Sequence, residues 1–250
     1  ILCCFLTGCS RNAEPLSRTG FYFDTVIQIT IYDPSKEDAL DGCFALAEKY
    51  ENMLSATKEN SDIWRINHSA GAPVDVTADT AQLLETALYY AELTDGRIDP
   101  TILPVASLWN FGSDKSPSIP DPSALKEALS HVDYHTVRME EKGDSYLVTL
   151  DDPQAMIDLG FIAKGYIADR MKDYLLSLDI SSACINLGGN VVTIGDKPDG
   201  SPFRIGIQEP FAAEGTPITV VALSDASLVS SGVYERYFYQ DDVLYHHILD

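Results

Sequence analysis

The sequence predicts an α+β fold in which mixed, mostly antiparallel sheets carry flanking helices. Helical periodicity dominates the first half of the chain, and short runs of period-two alternation dominate from Thr136 onward. No internal repeat and no linker-like stretch separates two independent units, so one domain is expected.

The elements follow in order. Residues 21–32 alternate Phe23, Ile27, Ile29 and Ile31 with Thr and Gln, and Asp33-Pro34-Ser35 closes them, which predicts a first strand. Over 36–54, Leu40, Cys43, Phe44, Ala47, Tyr50 and Leu54 fall at three- and four-residue spacing, the stripe of an amphipathic helix. A second helix is expected over 79–94, opened by Asp79 and Gln82 and ended by Gly96. A third spans 122–131, with Asp121 as N-cap and Pro122 at the first position. Residues 136–139 and 146–150 flank Lys142-Gly143-Asp144 as a hairpin. A helix then runs through Ile167, Met171 and Leu175, followed by strands at 183–187, 191–194, 204–207, 218–223, 234–239 and 243–249.

Composition limits the function classes. Against 38 acidic residues stand 17 Lys and Arg, a net charge of −21, and no basic run of even four residues occurs. Duplex nucleic acid needs several neutralised phosphates, so it is not an expected partner. The 45% hydrophobic content is that of a globular protein. No apolar stretch reaches the roughly 20 residues of a spanning helix. The opening Ile-Leu-Cys-Cys-Phe-Leu reads as the remnant of a signal h-region over 1–8, and Leu6-Thr7-Gly8-Cys9 resembles a bacterial lipobox. That pattern predicts acylation of Cys9, a polar tether over 9–20, and a domain over 21–250 held by lipid on the outer face of the bacterial cytoplasmic membrane. Cys43 and Cys184, set in apolar periodic segments, read as packing thiols.

Four stretches combine Gly with polar residues. Thr94-Asp95-Gly96-Arg97-Ile98-Asp99-Pro100-Thr101, leading to Trp109 and Phe111, reads as a helix end or as a wall for a flat aromatic ligand. Asp158-Leu159-Gly160-Phe161-Ile162-Ala163-Lys164-Gly165 reads as a packing turn or as an anion site, with amides at a helix N-terminus and Lys164 as a point charge. Asn186-Leu187-Gly188-Gly189-Asn190 is a tight hairpin or a close approach for ligand. Ser231-Gly232-Val233-Tyr234-Glu235-Arg236 precedes Tyr245-His246-His247-Ile248; in a strand the two His face opposite sides, so at most one enters a given pocket. No Walker, Rossmann, zinc or Gly-x-Ser-x-Gly pattern occurs.

Taken together and in this order, these motifs resemble the ApbE family of flavin transferases. The resemblance runs from residue 21 to residue 250 and includes the Leu54-Ser55 to Ser61 and Asn67 stretch. It implies an ApbE-like, T-fold-like architecture and an FAD:protein FMN transferase. Such an enzyme uses FAD and Mg²⁺ and moves FMN to a Thr hydroxyl of a flavin-accepting protein, such as a subunit of a membrane redox complex, with release of AMP. Carried over residue by residue, Phe23, Thr57, Arg97, Ile98, Asp99, Asp158, Lys164 and Leu249 become flavin-dinucleotide contacts, with the Gly188-Gly189 turn as a close approach. Asp24 stands where the family has Gly, and Thr57 where an aromatic often stacks. The backbone carbonyl of Phe161 becomes a Mg²⁺ ligand, its partner Asp and Thr belonging to a segment beyond Asp250, so the sequence reads as truncated there. Transfer across a pyrophosphate requires charge neutralisation and a base. Lys164 and Arg236 are the candidates for the first and His246 or His247 for the second. Hydrolysis of FAD to FMN and AMP, or non-catalytic flavin binding, are the alternatives.

Overall fold

The computed structural model describes residues 14–112, 115–213 and 215–249. Cys9, the 1–8 remnant and most of the tether lie outside them. Strand β1 (Leu16–Tyr22) begins inside the segment assigned to the tether and pairs antiparallel with β2 (Thr25–Ile31), so the one strand expected over 21–32 is a hairpin. Its turn is Phe23-Asp24, both at φ 56°. Two left-handed residues match the twist of the flanking strands. Without Gly or Asn to mark the turn, the apolar alternation hides it. Ile27, Ile29 and Ile31 point to one face and are fully buried.

Helix α1 (Asp38–Leu54) buries Leu40, Cys43, Ala47, Tyr50 and Leu54, the stripe predicted for it. Then come α2 (Asp62–Asn67) and β3 (Val74–Val76), too short for periodicity to reveal. Ser61 caps α2 by accepting from the Trp64 amide at 2.9 Å. Helix α3 (Ala78–Leu93) is capped by Thr77, whose Oγ1 accepts from the Thr80 amide, and not by Asp79. Asp79 instead accepts from Lys49 Nζ at 2.7 Å and from the Tyr166 hydroxyl at 3.2 Å. Gly96, at φ 74°, ends the helix as expected, its amide donating to the Ala91 carbonyl.

After α4 (Leu103–Ala106), α5 (Pro122–Leu129) starts at the predicted cap: Asp121 accepts from the Ser123 and Ala124 amides. Strands β4 (Val137–Lys142) and β5 (Ser145–Leu150) form the predicted hairpin, and β3 adds to β5, giving a three-stranded sheet.

Helix α6 (Gly160–Ser177) begins at Gly160, so Lys164 lies on helix and not in a turn leading to one. It leads into β6 (Ala183–Leu187), β7 (Asn190–Ile194), β8 (Phe203–Gln208), β9 (Pro217–Leu223), β10 (Ser227–Val229), β11 (Tyr237–Gln240) and β12 (Val243–His246). Strand β10 escaped the sequence reading because three residues carry no period. The strands expected over 234–239 and 243–249 are shorter, since Tyr234 to Arg236 form a turn and pairing stops at His246. The main sheet has the order β1-β2-β6-β7-β10, every pair antiparallel. α1 and α6 pack together on its apolar face, where Ile167, Met171 and Leu175 meet Ile27, Ile29 and Ile185 in one core. Each such side chain contributes about 1.5–3 kcal/mol by burial. The hairpins β8-β9 and β11-β12 stand outside this sandwich as separate two-stranded sheets.

Candidate active site

Register fixes which groups meet at one end of the main sheet. Ile27 pairs with Leu187, Leu187 with Asn190, and Asn190 with Val229. The Phe23-Asp24 turn, the Gly188-Gly189 turn and Ser230 therefore share that end. Gly188 (φ 60°) lies so close to Thr25 that a Cβ would come within 2.3 Å of its Oγ1, and Gly189 (φ 84°) accepts at its carbonyl from the Ser230 amide. Gly188 and Gly189 thus form the left-handed hairpin turn, with the Thr25 side chain close against Gly188. The first turns of α6 join them, since a Cβ on Gly165 would sit 3.6 Å from the Asn190 side chain.

The α6 amides are less open than the sequence suggests. Gly160 donates to Asp158 Oδ1 at 2.7 Å, and Ile162 and Ala163 donate to the Leu159 carbonyl. Asp158 thereby closes the helix N-terminus, where a carboxylate is favoured by the helix dipole. The Asp158 amide in turn donates to the Pro100 carbonyl at 2.8 Å, docking the 97–101 segment beside it. Asn67 holds the preceding residue through both of its backbone groups: its Nδ2 donates to the Ile157 carbonyl at 2.8 Å and its Oδ1 accepts from the Ile157 amide at 2.6 Å.

The cations are Lys164 and Arg236. Burial pushes the Lys164 ammonium below its ordinary range; the nearby Arg236 adds to this, while Asp158 and Asp24 oppose it. The Arg236 guanidinium lies against Gly112, where a Cβ would come within 2.9 Å of it. Among the described residues neither cation forms an ion pair within 4.0 Å. These two cations beside a glycine-lined turn, with Lys164 Nζ donating to the Gly160 carbonyl at 3.5 Å, are a donor set suited to a pyrophosphate.

An aromatic wall completes the site. Trp109 and Phe111 stack with centroids 6.3 Å apart, Trp109 meets Tyr245 at 6.0 Å, and Phe111 meets Phe238 at 5.7 Å. His246 ends β12 opposite Tyr237, whereas His247, just past the strand, faces Phe111 at 6.5 Å. His247 Nδ1 donates to the Arg236 carbonyl at 3.3 Å, which leaves Nε2 as the lone-pair nitrogen. Burial holds the His247 pKa below the ordinary imidazole value. His246 Nδ1 is buried without a hydrogen-bond partner among the described residues.

The remaining predicted contacts are placed as follows. Phe23 is half-buried, and its amide donates to Glu51 Oε1 at 2.9 Å. Thr57 is exposed, in a turn organised by Ser55 Oγ, and Arg97 and Ile98 are exposed. The Asp99 carboxylate is already engaged: Oδ1 accepts from the Thr101 amide and hydroxyl, and Oδ2 from the Tyr134 amide. Leu249 is half-buried. Phe161 is the second residue of α6, where a carbonyl points along the axis toward the amide four residues on. Among the described residues no group of three or more His, Cys, Asp or Glu side chains would hold a metal ion. One carbonyl cannot replace about six oxygens, so the residues present do not fit Mg²⁺. Sequence reasoning missed Glu51 as a site residue, since one Glu among the polar positions of α1 carries no signal.

A sequence model of the ApbE family matches residues 23–250. The chain is 35% identical over 271 residues to the FAD:protein FMN transferase of Treponema pallidum, covering 100% of this chain and 75% of that protein. It is 38% identical over 208 residues to one from Klebsiella pneumoniae, covering 83% of this chain and 63% of that protein. Among solved structures, the ApbE protein of Thermotoga maritima superimposes with a TM-score of 0.86 at 32% identity, covering 95% of this chain and 76% of that one. The flavin transferase ApbE of Vibrio cholerae gives 0.80 at 27% identity, with the same two shares. Motifs, fold and relatives agree, and the chain belongs to the ApbE family.

Proposed function

We propose that this chain is a flavin transferase that moves FMN from FAD to a Thr hydroxyl of a target protein and releases AMP. The observation that carries the reading is the pairing of two cations, Lys164 and Arg236, that form no ion pair among the described residues, with a neutral-favouring His247 beside an aromatic wall. The cations offset the pyrophosphate charge and the charge that develops on departing AMP. His247 Nε2 takes the proton of the Thr hydroxyl, whose oxygen forms the new bond to the FMN phosphorus as the bond to the AMP phosphate breaks. The stacked Trp109 and Phe111 offer a flat surface for a ring system. Mg²⁺ belongs to the reading through the family resemblance, and bound to phosphate oxygens it would supply further neutralisation. The residues described here do not form its site, and no step above runs through it. The flavin-accepting protein is the partner, and acylation of Cys9 would hold the enzyme on the outer face of the cytoplasmic membrane, where it meets that partner.

The test is a mass measurement on a Thr-bearing target domain after incubation with FAD and Mg²⁺. A gain of one FMN supports transfer; AMP release without an adduct assigns hydrolysis instead; neither product sinks the reading.

A further inference from the structure

The Phe23-Asp24 turn is a strained element at the site. Both residues sit in the left-handed region, and Phe there lacks the local hydrogen bonding that lets Asp adopt it. A strained turn persists only where its surroundings over-determine it. Three contacts do so here. On one flank Gly188 is pressed against Thr25. On the other, the Phe23 amide donates to Glu51 Oε1 at 2.9 Å. The second oxygen of that carboxylate, Glu51 Oε2, lies 3.6 Å from Lys58 Nζ. One half-buried side chain on the last turn of α1 thus spans the β1-β2 turn and the loop that carries Thr57.

We propose that Glu51 is a positioning residue for the flavin dinucleotide: it pins the left-handed Phe23-Asp24 turn in the arrangement that accepts FAD. The inference rests on the proposed transferase reading for the identity of the ligand. Glu51 touches no reacting atom, so its loss acts on binding and not on the chemical step. A hydrogen bond to a carboxylate is stronger than one between neutral groups, and its removal frees a turn whose own backbone preference is to relax. Gln keeps an oxygen acceptor for the Phe23 amide while losing only an exposed ion pair of small worth.

The experiment compares wild type, Glu51→Gln and Glu51→Ala by FAD titration, steady-state FMN transfer and hydrogen exchange of the Phe23 amide. Glu51→Ala should raise KM and Kd for FAD about tenfold or more, leave kcat within about twofold, and speed exchange at Phe23. Glu51→Gln should restore most of the affinity and the protection. A merely structural defect would lower kcat and active fraction together and would not follow this split. Unchanged FAD affinity in Glu51→Ala, or equal losses in Ala and Gln, overturns the proposal. The exchange readout needs no FAD, so unchanged Phe23 protection in Glu51→Ala refutes the clamp even where wild type fails to transfer FMN, an outcome that by itself sinks only the transferase reading.

Discussion

The main sheet has two ends, and they are built from similar parts for different ends. At one lie the Phe23-Asp24 and Gly188-Gly189 turns, the start of α6, Lys164 and Arg236. At the other, Tyr32, Asp33, Ser181, Ser182, Asp196 and Lys197 line a cavity of about 300 Å³. Left-handed residues occur at both: Phe23 and Asp24 at the first, Asp179 (φ 58°) and Asp225 (φ 45°) at the second. At the far end three carboxylates are already engaged, while Ser182 Oγ is buried without a hydrogen-bond partner among the described residues. Asp33 accepts from the Ser35 amide, Asp196 from the Ser224 hydroxyl, and Asp225 from Lys172 Nζ at 2.8 Å. Its left-handed residues are Asp, which visit that region at little cost. The near end holds two cations close enough for Arg236 to help lower the Lys164 pKa, an imidazole depressed by burial, and a Phe in a backbone region it does not favour. Chemistry follows uncommitted charge and stored strain, not concavity alone.

The largest effect should come from the near end. His247→Ala should lower the FMN transfer rate by about 10²–10⁴-fold, the usual contribution of a general base, while His246→Ala should change it little. Comparable losses in both, measured as adduct formed per minute, would remove the facial distinction between them. Next is the core that joins the two ends. Ile29 is fully buried between the sheet and its helices, and Ile29→Ala should destabilise the fold by about 2–5 kcal/mol in denaturant titrations. A smaller cost would mean that the layer beneath the site is loosely packed.

Lys164 sharpens the comparison through pH. Its pKa is lowered chiefly by burial, so the ammonium discharges below the ordinary lysine range. FAD affinity should therefore fall as pH rises through that alkaline window, and Lys164→Arg should flatten the fall because guanidinium stays charged. Stability of the free protein should move the other way. With the folded pKa below the unfolded one, the unfolded chain holds more protons in that window, and stability rises with pH. Fluorescence titration and thermal melts over the same pH series check both signs. The smallest effect belongs to the far end: Lys197→Ala should leave FAD affinity and transfer rate within about twofold, as surface changes away from a site usually do. A tenfold loss there would break the assignment of the two ends.

Elements long enough to show a period were legible in the chain itself. The α1 stripe, the α5 cap at Asp121 and strand β6 at 183–187 stand where spacing and capping chemistry put them. Motif order alone pointed to the family and to Lys164, Arg236 and the His pair. The short elements α2, β3 and β10 were not legible, because three to six residues cannot establish a period. Nor was the Phe23-Asp24 turn, since residue type argues against a left-handed Phe. Only the tertiary structure decided that turn, by pressing Thr25 on Gly188 and handing the Phe23 amide to Glu51 from a helix 28 positions on. It also decided which His faces the aromatic wall, because the sequence cannot say where β12 stops or which side Phe111 will occupy. Local sequence sets periodicity and capping through backbone sterics and nearby hydrogen bonds; the choice among satisfied, strained and uncommitted groups depends on partners far away in the chain, and it is made only when the sheet brings them to one end.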